Sequence, residues 1–334
     1  MLVYFSTHLA GGMIRIVLTA RFYKKHFRGL IHDSYILEYV WIDGSKNLRS
    51  KYRTAYPVFD SMDDAVCAHN WNYEEDDDDC GEEIVLVPVA HYANPFFEPG
   101  RAFFILCDTY RADDGVPTDT NFRCHAQTVF NKGLDPDLRL DPDLRLDPDL
   151  RLDPWFRFKQ GYATGVGVSV GTLRKLAEKH YEYCLQAGLK IGGMSTDVAS
   201  NRWEFRIGPC CGLDAGDELW VARYILHKLG QEFGVCISFK PEIVSTKLNT
   251  TFSTEETREK IKGGLKRIYK YIDRLSKKNM HNDPGFALGA ATTEIRIPTS
   301  VLKAGCGYLE DRRLASDADP YRVIATIFSS ACFD

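Results

Sequence analysis

Apolar residues in this chain follow two rhythms in succession. Tyr35 to Asp43, Glu83 to Ala90 and Ala102 to Asp108 are β-branched and aromatic runs bounded by turn residues, a pattern that predicts strands. Little helical patterning separates them, so Leu30 to about Tyr110 reads as a small sheet-rich domain. The turn-rich segment from Arg111 through Gly115 to Pro117 sets its boundary. Beyond it Leu173, Leu176, Ala177, His180, Tyr181, Cys184 and Leu185 recur at three- and four-residue steps, with Thr172 placed to cap a helix and Gly188 to end it. Asp217 to Phe233 repeats the pattern and stops at Gly234, with a strand expected over Val235 to Phe239. Gly264 to Lys278 and Asp319 to Phe333 predict further helices, the last opened by Asp319 with Pro320 at its first helical position. Trp203 to Ile207 and Glu294 to Ile297 read as strands, which makes the second part α+β.

Two stretches break these rhythms. Leu134-Asp135-Pro136-Asp137-Leu138-Arg139 repeats at 140–145 and 146–151 and trails off at Leu152-Asp153-Pro154. Proline at every sixth residue forbids a helix and a central strand alike, so 134–153 is expected to be an extended, disordered insertion. Glu74-Glu75-Asp76-Asp77-Asp78-Asp79, with Glu82 and Glu83 close behind, repels itself and is expected to stay hydrated, without the spacing of a calcium loop.

Composition narrows the function classes. Hydrophobic residues make up 44% and charged residues 26%, ordinary for a folded globular chain of this length. The net charge of -4 gives no electrostatic case for nucleic acid. The longest apolar runs, such as Ile84 to Ala90, fall far short of the roughly 20 residues a membrane helix needs, so a soluble protein is expected. Ten cysteines include no C-x-x-C pair, which points to reduced thiols in a cytosol or matrix. Between Met1 and His32 there are basic residues but no acid, interleaved with apolar ones. That segment reads either as a mitochondrial transit peptide or as an ordinary basic lead-in, leaving a cytoplasmic and a mitochondrial location open.

Nucleotide-loop, metalloprotease, serine-hydrolase and kinase motifs are absent, and Gly165-Val166-Gly167-Val168-Ser169-Val170-Gly171 has the wrong spacing for a dinucleotide turn. What the sequence does hold is a series of blocks in order. They include Val40-Trp41-Ile42-Asp43-Gly44-Ser45, Trp71-Asn72-Tyr73, Leu86-Val87-Pro88-Val89-Ala90, Pro154-Trp155-Phe156, Arg202 to Cys210, Gly216 to His227, Phe252-Ser253-Thr254, Ile295-Arg296-Ile297-Pro298 and Gly307 to Arg313. From about Tyr35 to Cys332 these blocks resemble eukaryotic-type glutamine synthetase. The resemblance implies a β-grasp domain over 33–110, a large catalytic-type α/β domain over 111–334 and stacked rings of subunits. It also implies ATP-driven ligation of ammonia to glutamate.

That chemistry explains the residue types. Magnesium or manganese ions bridging ATP phosphates and a carboxylate need hard oxygen ligands, arginines clamp phosphate and carboxylate in forked geometry, and a further carboxylate must take a proton from ammonium. By resemblance Asp197, Glu204 and Glu310 are metal ligands, with Asp197 standing where the family usually has Glu. Glu204, Phe205, Arg206, Ile207, Gly208 and Pro209 form part of the nucleotide wall, and Ser253 and Tyr308 lie near the nucleotide. Arg296 contacts phosphate, Arg312 holds the glutamate substrate, and Glu74 stands nearest the ammonium-facing position.

The departures are as specific as the matches. Where the family carries two glutamates after Pro-Trp-Phe, this chain has Lys159 and Gly161, and a metal-binding histidine is replaced by Asn249. Glu242 to Leu248 replaces a glycine-rich substrate loop, and Ala291 stands where an arginine is expected. A stretch between Asn279 and Asn282 that usually carries a substrate arginine and a flap glutamate is missing, as is a hairpin between Gln160 and Tyr162. These losses predict weakened metal and ATP binding and little or no ligase turnover. The expected role is structural, nucleotide-binding or that of a partner to intact glutamine synthetase subunits; the alternative is a working glutamate–ammonia ligase.

Overall fold

A computed structural model describes residues 13–17, 34–56, 65–74, 83–134, 152–165, 167–197, 202–240, 247–277 and 295–333. The fold is mixed α/β and divides into two units, one holding the chain up to Asn121 with Gln186–Gly188 and the other Phe122–Leu185 with Leu189–Asp334.

The first unit carries β1 (Met13–Val17), β2 (Tyr35–Ile42), β3 (Leu48–Ala55), β4 (Ala65–His69), β5 (Trp71–Glu74), β6 (Glu83–Ala93) and β7 (Ala102–Arg111). Five of these form a sheet in the order β3-β2-β7-β6-β5, in which only β2 and β7 run parallel. Alternate residues of β2 and β7 put Tyr35, Leu37, Tyr39, Trp41, Phe103 and Ile105 into one apolar cluster, where Trp71 meets Tyr39 edge-on at 5.3 Å. Glu38 is fully buried on the other side of β2 and accepts a hydrogen bond from Asn94 at 2.7 Å, as a buried carboxylate requires. The three strands expected from sequence all form. Strand β3 escaped prediction because its residues are mostly exposed, so it lacks an apolar alternation. β1 lies within the basic N-terminal segment and pairs antiparallel with β4. The acidic residues 75–82 lie outside the described residues.

The second unit is built on a seven-stranded antiparallel sheet. Its elements are α1 (Phe122–Leu134), β8 (Trp155–Thr164), α2 (Val170–Gln186), β9 (Ile191–Asp197), β10 (Arg202–Cys211), α3 (Asp214–Phe233), β11 (Ile237–Ser238), β12 (Leu248–Ser253), α4 (Glu255–Arg258), α5 (Gly264–Lys277), β13 (Ile295–Arg296), α6 (Thr299–Ala304), β14 (Leu309–Asp311) and α7 (Pro320–Cys332). The strand order is β13-β14-β12-β8-β10-β9, with β11 added against β8. Phe156, Phe158, Phe205, Ile207, Phe252 and Leu309 point inward and are essentially inaccessible to water. Helix α3 is buried along most of its length and ends at Gly234 in the left-handed conformation, as its sequence predicted. Asp319 caps α7 by accepting from the backbone N–H groups of Tyr321 and Arg322.

Three local expectations need correction. Helix α2 starts at Val170, and Ser169 Oγ rather than Thr172 receives the first capping hydrogen bond, from Thr172 N. The apolar stripe of that helix closes at Cys184, because Leu185 is 52% exposed. Val235 to Phe239 contributes only the two-residue β11, because β8 ends at Thr164, the partner of Ile237. The repeats at 135–151 lie outside the described residues, as do 241–246 and 278–294. Leu152 is buried after the repeats and its carbonyl accepts the N–H of Glu255 at 3.0 Å. No described helix is long and apolar enough to cross a membrane.

Candidate functional site

Strand pleating decides which residues of the second unit can act. In β10, Trp203, Phe205 and Ile207 face the core, so Glu204 and Arg206 face outward. In β8, Phe156 and Phe158 point inward and Arg157 and Lys159 outward. In β14, Leu309 and Asp311 are buried, leaving Glu310 on the outer face. Register then assembles the outer residues into rows. Arg206 opposes Lys159, which opposes Asn249, while Glu204 opposes Gly161. Arg157 opposes Thr251, which opposes Glu310, which opposes Arg296.

Of the three positions at which resemblance expects metal ligands and the chain lacks them, Gly161 and Lys159 therefore lie on β8 beside Glu204, and Asn249 lies one strand further, on β12, opposite Lys159. Their replacement has a visible consequence. Lys159 Nζ lies 2.7 Å from Glu204 Oε2, and Ser195 Oγ donates to the same oxygen at 3.0 Å. The ammonium is in direct ion-pair contact with the carboxylate.

Glu310 is held differently. Arg296 Nε donates to its Oε2 at 2.6 Å, and Arg312 adds bonds from Nη2 at 2.9 Å and Nε at 3.2 Å. Partial burial on its own raises the Glu310 pKa, but the hydrogen bonds and charges of Arg296 and Arg312 overcome it and hold the carboxyl below its ordinary value. Each carboxylate is thus already faced by a positive nitrogen, and the two sit on β10 and β14 with β8 and β12 between. Among the described residues no group of three or more His, Cys, Asp or Glu side chains could hold a metal ion. The donor set of the described residues does not fit a divalent cation.

The structure thus gathers Glu204, Arg206, Glu310, Arg296 and Arg312 onto one sheet face. Phe205 and Ile207 are on the opposite, core face, where Phe205 packs against His180 with ring centroids 4.8 Å apart. Gly208 shows why glycine is required in that strand: its φ is +97°, and a Cβ would come within 2.6 Å of the Phe156 carbonyl. Pro209 follows through a cis bond and is exposed. Ser253 is buried at the end of β12, where Arg258 donates to its hydroxyl at 3.2 Å. Tyr308 is half-buried immediately before β14. Asp197 closes β9 opposite Arg202, and Glu74 closes β5 opposite Glu83 in the first unit.

Sequence reasoning overlooked three residues here. Arg157 shares the outer face with Lys159, a placement readable from the alternation Phe156, Arg157, Phe158, Lys159. Gln160 and Arg223 form the inner support of the same segment. The Arg223 guanidinium, fully buried, donates to Gln160 Oε1 at 2.6 and 3.0 Å and to the carbonyls of Ser316 and Ala318. Burial lowers its pKa to about 10, with Asp319 and Asp317 opposing that shift. Nothing in the local pattern marks a side chain whose partners are 63 to 95 residues away.

No family model matches the chain. Individual relatives do. It is 37% identical over 336 residues to glutamine synthetase of Saccharomyces cerevisiae, across 89% of each chain. It is 34% identical to glutamine synthetase of Emericella nidulans, across 90% of this chain and 93% of the relative. Glutamine synthetase 2 cytoplasmic of Drosophila melanogaster is also 34% identical, across 89% of this chain and 90% of the relative. Resemblance by ordered blocks and similarity along nearly the whole length agree, and the chain belongs to the glutamine synthetase family.

Proposed function

We propose that this chain is a glutamine synthetase framework with an impaired catalytic centre, serving as a structural, nucleotide-binding or hetero-oligomeric subunit. The observation that carries this reading is the 2.7 Å contact of Lys159 with Glu204. The family reaction, ligation of ammonia to glutamate at the expense of ATP, depends on divalent cations that draw the phosphates and the acceptor carboxylate together. A unit charge pair about 4 Å apart is worth roughly 4 kcal/mol at an effective dielectric near 20, so an ammonium in place of a carboxylate turns attraction for a cation into comparable repulsion. Metal and ATP–metal binding are weakened accordingly. With Asp197, Glu204 and Glu310 as the surviving acidic positions, turnover falls with them, because each lost electrostatic contact at a reacting phosphate costs on the order of 10²- to 10³-fold.

In this reading the first unit is the β-grasp domain and the second the catalytic-type domain. The outer face of Glu204 and Arg206, with Gly208, Pro209, Ser253 and Tyr308, is the remnant of the nucleotide wall; Phe205 and Ile207 support it from the core. Arg296 and Arg312 are the phosphate and glutamate clamps, and Glu74 takes the ammonium-facing position. The subunit assembles into a homo-oligomeric ring or joins intact glutamine synthetase subunits in the cytoplasm, with the mitochondrion as the alternative location.

A second reading, an active ligase, draws support from the Arg296–Glu310–Arg312 cluster, which keeps two clamps and one carboxylate together. Hydroxamate formation from glutamine or glutamate with hydroxylamine, nucleotide and manganese separates the two. Background-level product is expected; robust product would establish the second reading. Mass photometry tests assembly, and a lone 37.9 kDa species would contradict the ring.

A further inference from the structure

We infer that the outer face of the second unit's sheet is a metal-independent polyphosphate site, in which Lys159 and the surrounding guanidiniums supply the positive charge. The inference rests on the reading that this face descends from a nucleotide-facing wall, and it adds a ligand chemistry that the ancestral arrangement of chelators would repel.

Charge balance points there first. The described side chains of this face include Arg157, Lys159, Arg206, Arg296 and Arg312, against the carboxylates Glu204 and Glu310. Lys159 neutralises Glu204, and Arg296 and Arg312 share Glu310. Arg157 and Arg206 have no hydrogen-bond or ion-pair partner among the described residues. Unpaired guanidiniums beside an ammonium leave a surplus of positive charge with forked donors aimed outward.

Placement points the same way. Arg157 and Lys159 are same-face neighbours on β8, about 6.6 Å apart along the strand, and Arg206 lies one strand away opposite Lys159, about 4.8 Å across. Positive groups so spaced suit a chain of linked anionic groups better than a single compact anion. A neighbouring surface explains why the site tolerates this crowding: Lys159 is 34% and Arg296 47% exposed, so water screens their mutual repulsion until a polyanion arrives. Divalent cations oppose such binding, because they neutralise the phosphates and compete with Lys159 for them.

Calorimetric titration of the full-length protein with inorganic tripolyphosphate and with ATP, each in EDTA and in excess Mg²⁺, tests the inference. Binding in EDTA that weakens at least fivefold with Mg²⁺ is expected. ATP at least tenfold tighter than tripolyphosphate would identify a nucleotide as the source of the phosphates, and equal affinities a free polyphosphate. Arg157→Gln and Arg206→Gln should each weaken binding about fivefold while circular dichroism and the melting midpoint stay unchanged. Absence of binding in EDTA, or binding only with Mg²⁺, overturns the inference. Robust hydroxamate formation instead overturns the reading beneath it, so the two failures are distinguishable.

Discussion

The two faces of the sheet formed by β8, β10, β12 and β14 belong to the same strands and yet obey different rules. On the inner face Phe156, Phe158, Phe205, Ile207, Leu248 and Phe252 are almost wholly buried, and two polar members are held by arginines: Gln160 by Arg223, and Asp311 by Arg313 at 2.6 Å. On the outer face Arg157, Lys159, Arg206 and Asn249 are partly exposed, and they include positions where the family's chemistry expects carboxylate or histidine. Because successive residues of a strand point to opposite sides, packing and chemistry are constrained at alternate positions. A family framework can therefore persist while the reactive set changes.

The largest test of that separation is Phe158→Ala. Truncating a fully buried aromatic side chain removes transfer free energy and leaves a cavity, so a loss of about 3–5 kcal/mol is expected in urea unfolding. Lys159, the very next residue, should show nothing comparable. Equal losses at the two positions would break the comparison.

A second test uses pH to probe the support behind the inner face. His180 on α2 is buried against Phe205, and burial lowers its pKa to about 4, against the weaker opposing pull of the Ala222 carbonyl. An unfolded histidine titrates near 6.5. Between these values the unfolded chain binds a proton that the folded chain refuses, so stability is complete above about pH 6.5 and declines as pH falls toward 4. The full decline attributable to this residue is about 3 kcal/mol. In His180→Gln, whose side chain does not titrate, the difference from the parent protein should vary across that window by this amount. A constant difference would show that His180 is not the group responsible.

How much of this was legible beforehand follows the same division. Apolar alternation announced β2, β6, β7 and β10, and the cap and stop residues announced α3 and α7, because each signal lies within a few neighbouring positions. The outer-face residues Glu204, Glu310, Arg296 and Arg312 were found through blocks of sequence, and register confirms only that they share a face. Invisible in sequence were the partners that long-range folding creates: Lys159 with Glu204, and Arg223 with Gln160, Ser316 and Ala318. The segment Gly307 to Arg313 illustrates the limit. It reads as one cluster of charge, but the pleat sends Asp311 and Arg313 into the core and leaves Glu310 and Arg312 outside.

Restoring the outer donor set sharpens the comparison from the chemical side. The triple change Lys159→Glu, Gly161→Glu and Asn249→His places three ligand-type side chains on the same outer face as Glu204, two on β8 beside it and one on β12. Manganese affinity, read from the paramagnetic resonance of free Mn²⁺, should rise at least tenfold, about 1.4 kcal/mol. An unchanged affinity would mean that the backbone of this face no longer presents those positions together, and the change would then lie in the framework itself.

The smallest effect is expected from Lys159→Met, and its smallness is informative. The Lys159–Glu204 pair is short at 2.7 Å, but the two side chains are 34% and 23% exposed. Solvent screening and the entropy of holding a long side chain limit such a pair to roughly 0–1 kcal/mol. The methionine keeps most of the stem that packs over β8, so only the charge is removed. A melting midpoint within about a degree or two of the parent protein is expected, since 1 kcal/mol shifts a domain of this size by roughly 2–4 °C. A larger fall would mean that the ammonium acts as a structural tie, binding strands β8 and β10 together. The two faces would then no longer be independent, and the outer one would carry part of the stability now assigned to the inner.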